Sequence, residues 1–234
     1  MLSIIIPVLN EEKYLPNLLK DLQRERFLIK EIIVADAGST DKTVEIAKLF
    51  HCKVVPGGLP AVGRNEGAKI AQGDLLLFLD ADIRLSERFL FNALSEFQEK
   101  DLDVASFPVF PQESSFFLNR FTFNLFYNYP QRYLKSVFPL GAMGILVKRE
   151  IFKKVNGFDP EIRLSEDHCF VQSAAKVGKF SPVKSAEIYM PPRRFKQDGY
   201  FITILKYLLC GLHMVILGPV KTDIFKYKFN HYNK

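Results

Sequence analysis

"DLLLFLDADIRL", Asp74 to Leu85, decides the fold. Five apolar residues, Leu75 to Leu79, form a run too short for a helix and uniformly greasy, as a strand buried on both faces requires. Asp80 and Asp82 follow at once. Alternation along an extended backbone directs both carboxylates to the same side. There they repel, and one pKa rises unless a cation is near. A solvated strand exit is the readier explanation of a lone D-x-D, which is a weak motif by itself. "KDLDV", with Asp101 and Asp103, is such a case, because it precedes a strand instead of ending one.

Working outward, "SIIIPV", "EIIVAD", "CKVV" and "DVASFPVF" read as further strands. Between them Leu15, Leu18, Leu19 and Leu22, then Leu90, Ala93, Leu94 and Phe97, recur at helical spacing, with Pro16 in a first turn and Ser86 as an N-cap. Strands interleaved with helices predict an α/β fold with a mostly parallel sheet. Ligands of such sheets sit outside the carboxyl ends of the strands. Every polar cluster of the first half falls there: "PVLNEE", "DAGSTD", "GGLPAVGRNEG" and "DAD". Asp36 suits a nucleobase or ribose, or a capping turn. Arg64 and Asn65, read as preceding a short helix, suit a phosphate or an inter-loop salt bridge. Hard Mg2+ or Mn2+ binds through one or two carboxylates plus substrate phosphates, which fits Asp80 and Asp82.

The chain has 234 residues, 48% hydrophobic and 25% charged, enough for one domain with a full core. Disorder is excluded on that composition. A net charge of +6 favours an anionic partner. Cys52, Cys169 and Cys210 lack metal spacing and read as free thiols in a reducing compartment. The first residues read as a strand and not as a secretory signal. Neither G-x-G-x-x-G nor a P-loop occurs.

Beyond residue 110 the character changes. Nine aromatics lie between Phe116 and Phe138, spread around a helical wheel, so that this segment is covered on most sides or touches lipid. Tyr200 to Val220 is apolar but contains Lys206, and reads as a helix in the membrane interface or packed on the domain, with a bilayer span as the third possibility. In "SEDHCFVQSAAKVG", Ser165 can cap, and Phe170, Ala174 and Val177 share a face. Helix-dipole stabilisation alone accounts for acids at Glu166 and Asp167. His168 reads as a face residue. "MPPRRF" follows a late strand, "SAEIYM", and its arginines suit a diphosphate, a lipid phosphate or a basic rim.

Four stretches in order, "SIIIPVLNEE", "VADAGSTDKT", "GRNEGAKIAQGDLLLFLDADIRL" and "SEDHCF", resemble the inverting family 2 glycosyltransferases of the GT-A fold over roughly residues 1 to 190. The resemblance implies a GT-A domain over 1–195, with a nucleotide-sugar half (1–110) and an acceptor half (111–195), and the apolar pattern beyond it reads as a membrane-interface segment over 196–234. It implies a nucleotide-diphosphate sugar donor contacted by Pro7, the Asn10-Glu11 turn, Asp36 and Asp80, to which Arg64 and Arg194 are added as the phosphate-binding candidates read from their own stretches. Asp82, with Asp80, would hold Mn2+ or Mg2+, and Asp167 would be the catalytic base. The acceptor would be lipid-linked or a glycan, at the cytoplasmic face of a membrane, with no nucleic acid and a homodimer possible. Ala37 stands where the family's D-D-G-S pattern has a second acid, which leaves the base open. A nucleotidyltransferase, or an inactive binding protein of this fold, is the alternative. The acidic "PVLNEE" disfavours the first and the intact acids disfavour the second.

Overall fold

The computed structural model describes residues 1–112 and 117–191, together with 209, 210, 213 and 218–221. Arg194 and nearly all of 196–234 lie outside the described residues. No described helix is long and apolar enough to cross a membrane.

The first half alternates as read: β1 (Leu2–Val8), α1 (Leu15–Gln23), β2 (Ile29–Asp36), α2 (Thr43–Leu49), β3 (Lys53–Pro56), α3 (Pro60–Ile70) and β4 (Leu75–Leu79). These strands pair in parallel in the order β3-β2-β1-β4. Both faces are covered. Ile4 and Ile6 of β1 pack with Leu15, Leu18, Leu19 and Leu22 of α1, whereas Ile5 points to the other side with Ile33, Phe78 and Phe158. Two buried faces are why these strands read as unbroken apolar runs.

The second half departs from the sequence reading in four places. "DVASFPVF" is two strands, β6 (Val104–Ser106) and β7 (Val109–Pro111), in different sheets. The break falls at Phe107–Pro108, where proline has no N–H to continue a ladder. The unforeseen β8 (Gly144–Lys148) inserts antiparallel between β4 and β6. A small sheet joins β5 (Arg84–Leu85), β9 (Ile188–Met190) and β7. Ser86 does not cap α4 (Phe89–Glu99), and its Oγ accepts the Glu187 N–H. The Glu25 carboxylate instead accepts the N–H groups of Leu90 and Phe91 at 2.9 Å each, a cap supplied from 65 residues upstream.

The "GGLPAVGRNEG" stretch is chiefly helix. Pro60 opens α3, so Arg64 and Asn65 are within it. A Cβ at Gly63 would stand 3.1 Å from that of Pro7, and one at Gly67 would collide with Ile5. The glycines therefore let α3 lie directly on β1.

After β7 come α5 (Phe117–Phe123), a π-helical turn (Asn124–Asn128) and α6 (Tyr129–Tyr133), then β8, α7 (Arg149–Lys154) and α8 (Glu166–Ala175). Lys148 pairs with Asp103 at 2.7 Å, which gives the second D-x-D its structural role.

Candidate active site

Parallel pairing brings the carboxyl ends of β1, β2 and β4 to one edge, and the two loops after β1 and β2 are tied together there. Asn10 adopts a left-handed φ of 55°, its Oδ1 accepts the Thr40 N–H at 2.8 Å, and its own N–H donates to Ser39 Oγ at 2.9 Å. The Glu11 N–H donates to Thr43 Oγ1 at 2.7 Å, while Asp41 accepts from Glu12. Glu11 is buried, and Pro7 is partly buried against α3. Asp36 accepts the N–H groups of Gly38 and Ser39 at 3.1 and 3.2 Å, closing the capping turn that the sequence allows.

The end of β4 meets the start of α8 through one side chain. Arg64 is 4% exposed. Its Nη2 donates to Asp80 Oδ1 at 2.7 Å and its Nη1 to Glu166 Oε1, partners 16 and 102 residues away in sequence. Of the two sequence readings for Arg64, the salt bridge is present. The guanidinium thus offsets part of the Asp80 charge. The Phe158 ring lies 5.3 Å from the guanidinium carbon, and it stacks at 4.2 Å on Phe170 of α8.

Three carboxylates face this single cation. Burial opposes the Arg64 charge, but Glu166, Asp80 and Asp167 together overcome that cost and raise its pKa. One cation cannot satisfy three anions, and burial pushes the Glu166 carboxyl up to about 7 against the pull of Arg64, with Asp167 adding to the rise. Between the ordinary value of 4.5 and about 7 the folded chain therefore binds more protons than the unfolded one, so this group's contribution to stability is lost as pH rises through that window. Glu166→Gln removes the titration. The melting-temperature gap between wild type and E166Q is expected to narrow or reverse from pH 5 to pH 8, and differential scanning fluorimetry giving a constant gap would contradict this.

Asp167 follows Glu166 in the first turn of α8, half-buried, with its Oδ1 accepting the His168 N–H at 2.8 Å. The His168 Nδ1 accepts the Gly141 N–H at 3.2 Å and its ring lies 6.5 Å from that of Tyr127, so it is a face residue as read. Burial and the Asp167 charge raise the Tyr127 hydroxyl pKa. Ser165 holds the N-cap position with a left-handed φ of 63°, but its hydroxyl contacts Cys210 Sγ at 3.2 Å instead of capping. Val220, buried, accepts the N–H groups of Arg163 and Leu164, and Lys221 pairs with Glu161 at 2.7 Å. Described parts of the C-terminal segment thus hold the loop that launches α8.

Asp82 is buried in the turn between β4 and β5. Among the described residues no three His, Cys, Asp or Glu side chains form a metal cage. Asp80 and Asp82 offer hard oxygen donors of the kind Mg2+ and Mn2+ accept alongside phosphate oxygens.

The role of Asn65 and the residue Gly157 escaped the sequence reading. The Asn65 side chain donates to the Phe158 carbonyl at 2.7 Å and accepts its N–H at 2.9 Å, clamping α3 to the turn before α8. Gly157, at φ +72°, turns the chain so that Phe158 enters the core. The dipeptide Asn156-Gly157 was the available signal.

A parallel sheet with one inserted antiparallel strand, flanked by helices and carrying D-x-D beyond β4, defines the GT-A class of nucleotide-sugar folds. A mannosyltransferase from Pyrobaculum calidifontis, solved with GDP-Man and Mn2+, superposes with a TM-score of 0.71 at 18% identity, covering 96% of this chain and 66% of that one. The model of the family described as Glycosyl transferase family 2 matches residues 3–155, more than half of the sequence, and the chain belongs to that family. An uncharacterised glycosyltransferase of Haemophilus influenzae is 28% identical over 208 residues, 80% of this chain and 66% of that protein. The 4,4'-diaponeurosporenoate glycosyltransferase of Staphylococcus haemolyticus is 37% identical over 102 residues, 40% of this chain and 27% of that protein. The chain thus spans less than two thirds of the length of these curated relatives.

Proposed function

We propose that the protein transfers a sugar, with inversion, from a nucleotide-diphosphate donor to a lipid-linked or glycan acceptor at the cytoplasmic face of a membrane. The observation that carries this reading is the Arg64 tie, which joins the acids after β4 to the acids that open α8 at the carboxyl edge of the sheet. The GDP-Man and Mn2+ in the mannosyltransferase structure support the donor class and a divalent ion. The nucleoside base is left open by Ala37.

In this account Pro7, Glu11 and Asp36 face the base and ribose, and Asp80 the ribose. Asp82, with Asp80, would hold the ion, which when bound supplies positive charge to the departing diphosphate. Arg194 would meet the donor diphosphate. Arg64 positions Asp80 and Glu166. With Glu166 tied to Arg64, Asp167 is the acid of the pair assigned to the acceptor. Its carboxylate takes the proton of the acceptor hydroxyl while that oxygen bonds to the anomeric carbon and the bond to the diphosphate oxygen breaks.

Asp82→Asn is expected to cost at least about a hundredfold in Mn2+-dependent donor turnover, the scale of losing several kcal/mol of charge stabilisation. Nucleotide release measured with and without Mn2+ checks it, and wild-type turnover in the variant would overturn the metal assignment.

A further inference from the structure

The helical segment from α5 to α6 has a dry side and a wet side. Inward, the Gln131 Nε2 donates to Ser106 Oγ at 3.1 Å and to the Phe107 carbonyl at 3.0 Å, and Asn128 exchanges hydrogen bonds with the backbone of Val109. Tyr127 faces His168 beside Asp167. Outward, Phe121, Leu125, Tyr129, Tyr133 and Val137 recur every four residues with Leu134 beside them, and all are exposed, Tyr133 by 71% and Val137 by 86%. A spacing of four drifts around a helix of 3.6 residues per turn. The wider π turn at Asn124–Asn128 counters that drift and keeps Phe121, Leu125, Tyr129 and Tyr133 in one ridge. Sequence periodicity taken at 3.6 spreads the same aromatics around the wheel, which hid the ridge.

Charge says what the ridge meets. Phe116 to Phe138 contains Arg120, Arg132 and Lys135 and no Asp or Glu. Arg120 is taken up by Glu187. Arg132 and Lys135, both exposed, stand near Lys184 and lower its pKa, Arg132 most strongly, while Glu96, which pairs with Lys100, opposes the shift, so Arg132, Lys135 and Lys184 leave net positive charge at the end of the ridge. A protein partner made of a second copy would bring the same cations into contact with themselves. An apolar ridge with a cationic end fits the interface of an anionic bilayer, where the side chains enter the acyl boundary and the cations meet lipid phosphates.

We propose that the exposed ridge of α5–α6, from Phe121 to Tyr133, continued by Leu134 and Val137 in the turn after α6 and joined by Arg132, Lys135 and Lys184, docks this protein on anionic membranes. The proposal deepens the glycosyltransfer reading and rests on it for its purpose, since the same helices present Tyr127 to the candidate site and would set that site at the lipid surface. It assigns attachment to this ridge.

The test is co-sedimentation of the full chain with vesicles of equal parts phosphatidylglycerol and phosphatidylcholine, and with phosphatidylcholine alone, at low and high salt. Wild type is expected to bind the anionic vesicles, weakly at high salt, and the neutral ones poorly. R132Q/K135Q is expected to lose about fivefold in partition per cation. L125S/Y133S/V137S is expected to lose at least about a hundredfold. Melting temperature and vesicle-free turnover of nucleotide sugar, measured on each variant, report folding and the glycosyltransfer reading separately. The docking proposal is overturned if wild type stays unbound on anionic vesicles, if the triple variant binds as well as wild type, or if sedimentation shows a dimer that only the triple substitution dissolves.

Discussion

Asp167→Asn is expected to lower kcat for a hydroxyl acceptor by about 10²–10⁴-fold, the range supplied by a positioned general base. Asparagine keeps the shape and a polar atom at the start of α8. It removes the charge, and with it the capacity to take the acceptor proton. The KM for the donor should change little, because the donor is read as bound at the ends of β1, β2 and β4. Stability should fall only by the helix-dipole contribution, about 0.3–1 kcal/mol, partly offset by relieving the like charge on Glu166. Initial rates against donor and acceptor separate these effects. Unchanged kcat with a hydroxyl acceptor would remove Asp167 from the base role. An acceptor that is already ionised, such as a lipid phosphate, needs no base, so with that acceptor the loss should shrink.

Arg64→Met should be strongly destabilising. It deletes the buried cation that Asp80 and Glu166 share and leaves their carboxylates without it, a defect of about 3–5 kcal/mol. That is a large part of the 5–15 kcal/mol typical of a folded chain. The deficit has a pH signature. Without the cation the Glu166 carboxyl loses the pull that lowers its pKa, so the folded state gains protons relative to the unfolded one and the variant should recover stability as pH falls. R64M/E166Q should melt above R64M, because one of the two orphaned charges is gone, and the non-additivity measures the coupling. Equal melting of wild type and R64M at neutral pH would show that the tie does not hold the edge of the sheet together.

Local pattern carried the first half of the fold. β1 to β4 were legible because each is a short apolar run ended by turn residues, and α1 because its leucines recur at helical spacing. What escaped was non-local. The cap on α4 comes from Glu25, and nothing near Ser86 signals that the helix begins three residues later. Glycines in "GGLPAVGRNEG" look like a loop until β1 is placed beneath them, when Gly63 and Gly67 become the contact surface of α3. The split at Pro108 depends on two sheets competing for one segment. At the site, residue types were legible and partners were not. Asp80 and Arg64 stood out, but that Arg64 also reaches Glu166, 102 positions away, emerges only once α8 is packed over Phe158.

The most direct test is calorimetric titration of the protein with UDP and with GDP, in Mn2+ and again after its removal with EDTA, for wild type and Asp82→Asn. The account predicts saturable binding of at least one nucleotide by wild type in Mn2+, and little or none without the ion or in the variant. Absence of binding by wild type with Mn2+ present, or binding indifferent to both the ion and Asp82, would contradict it.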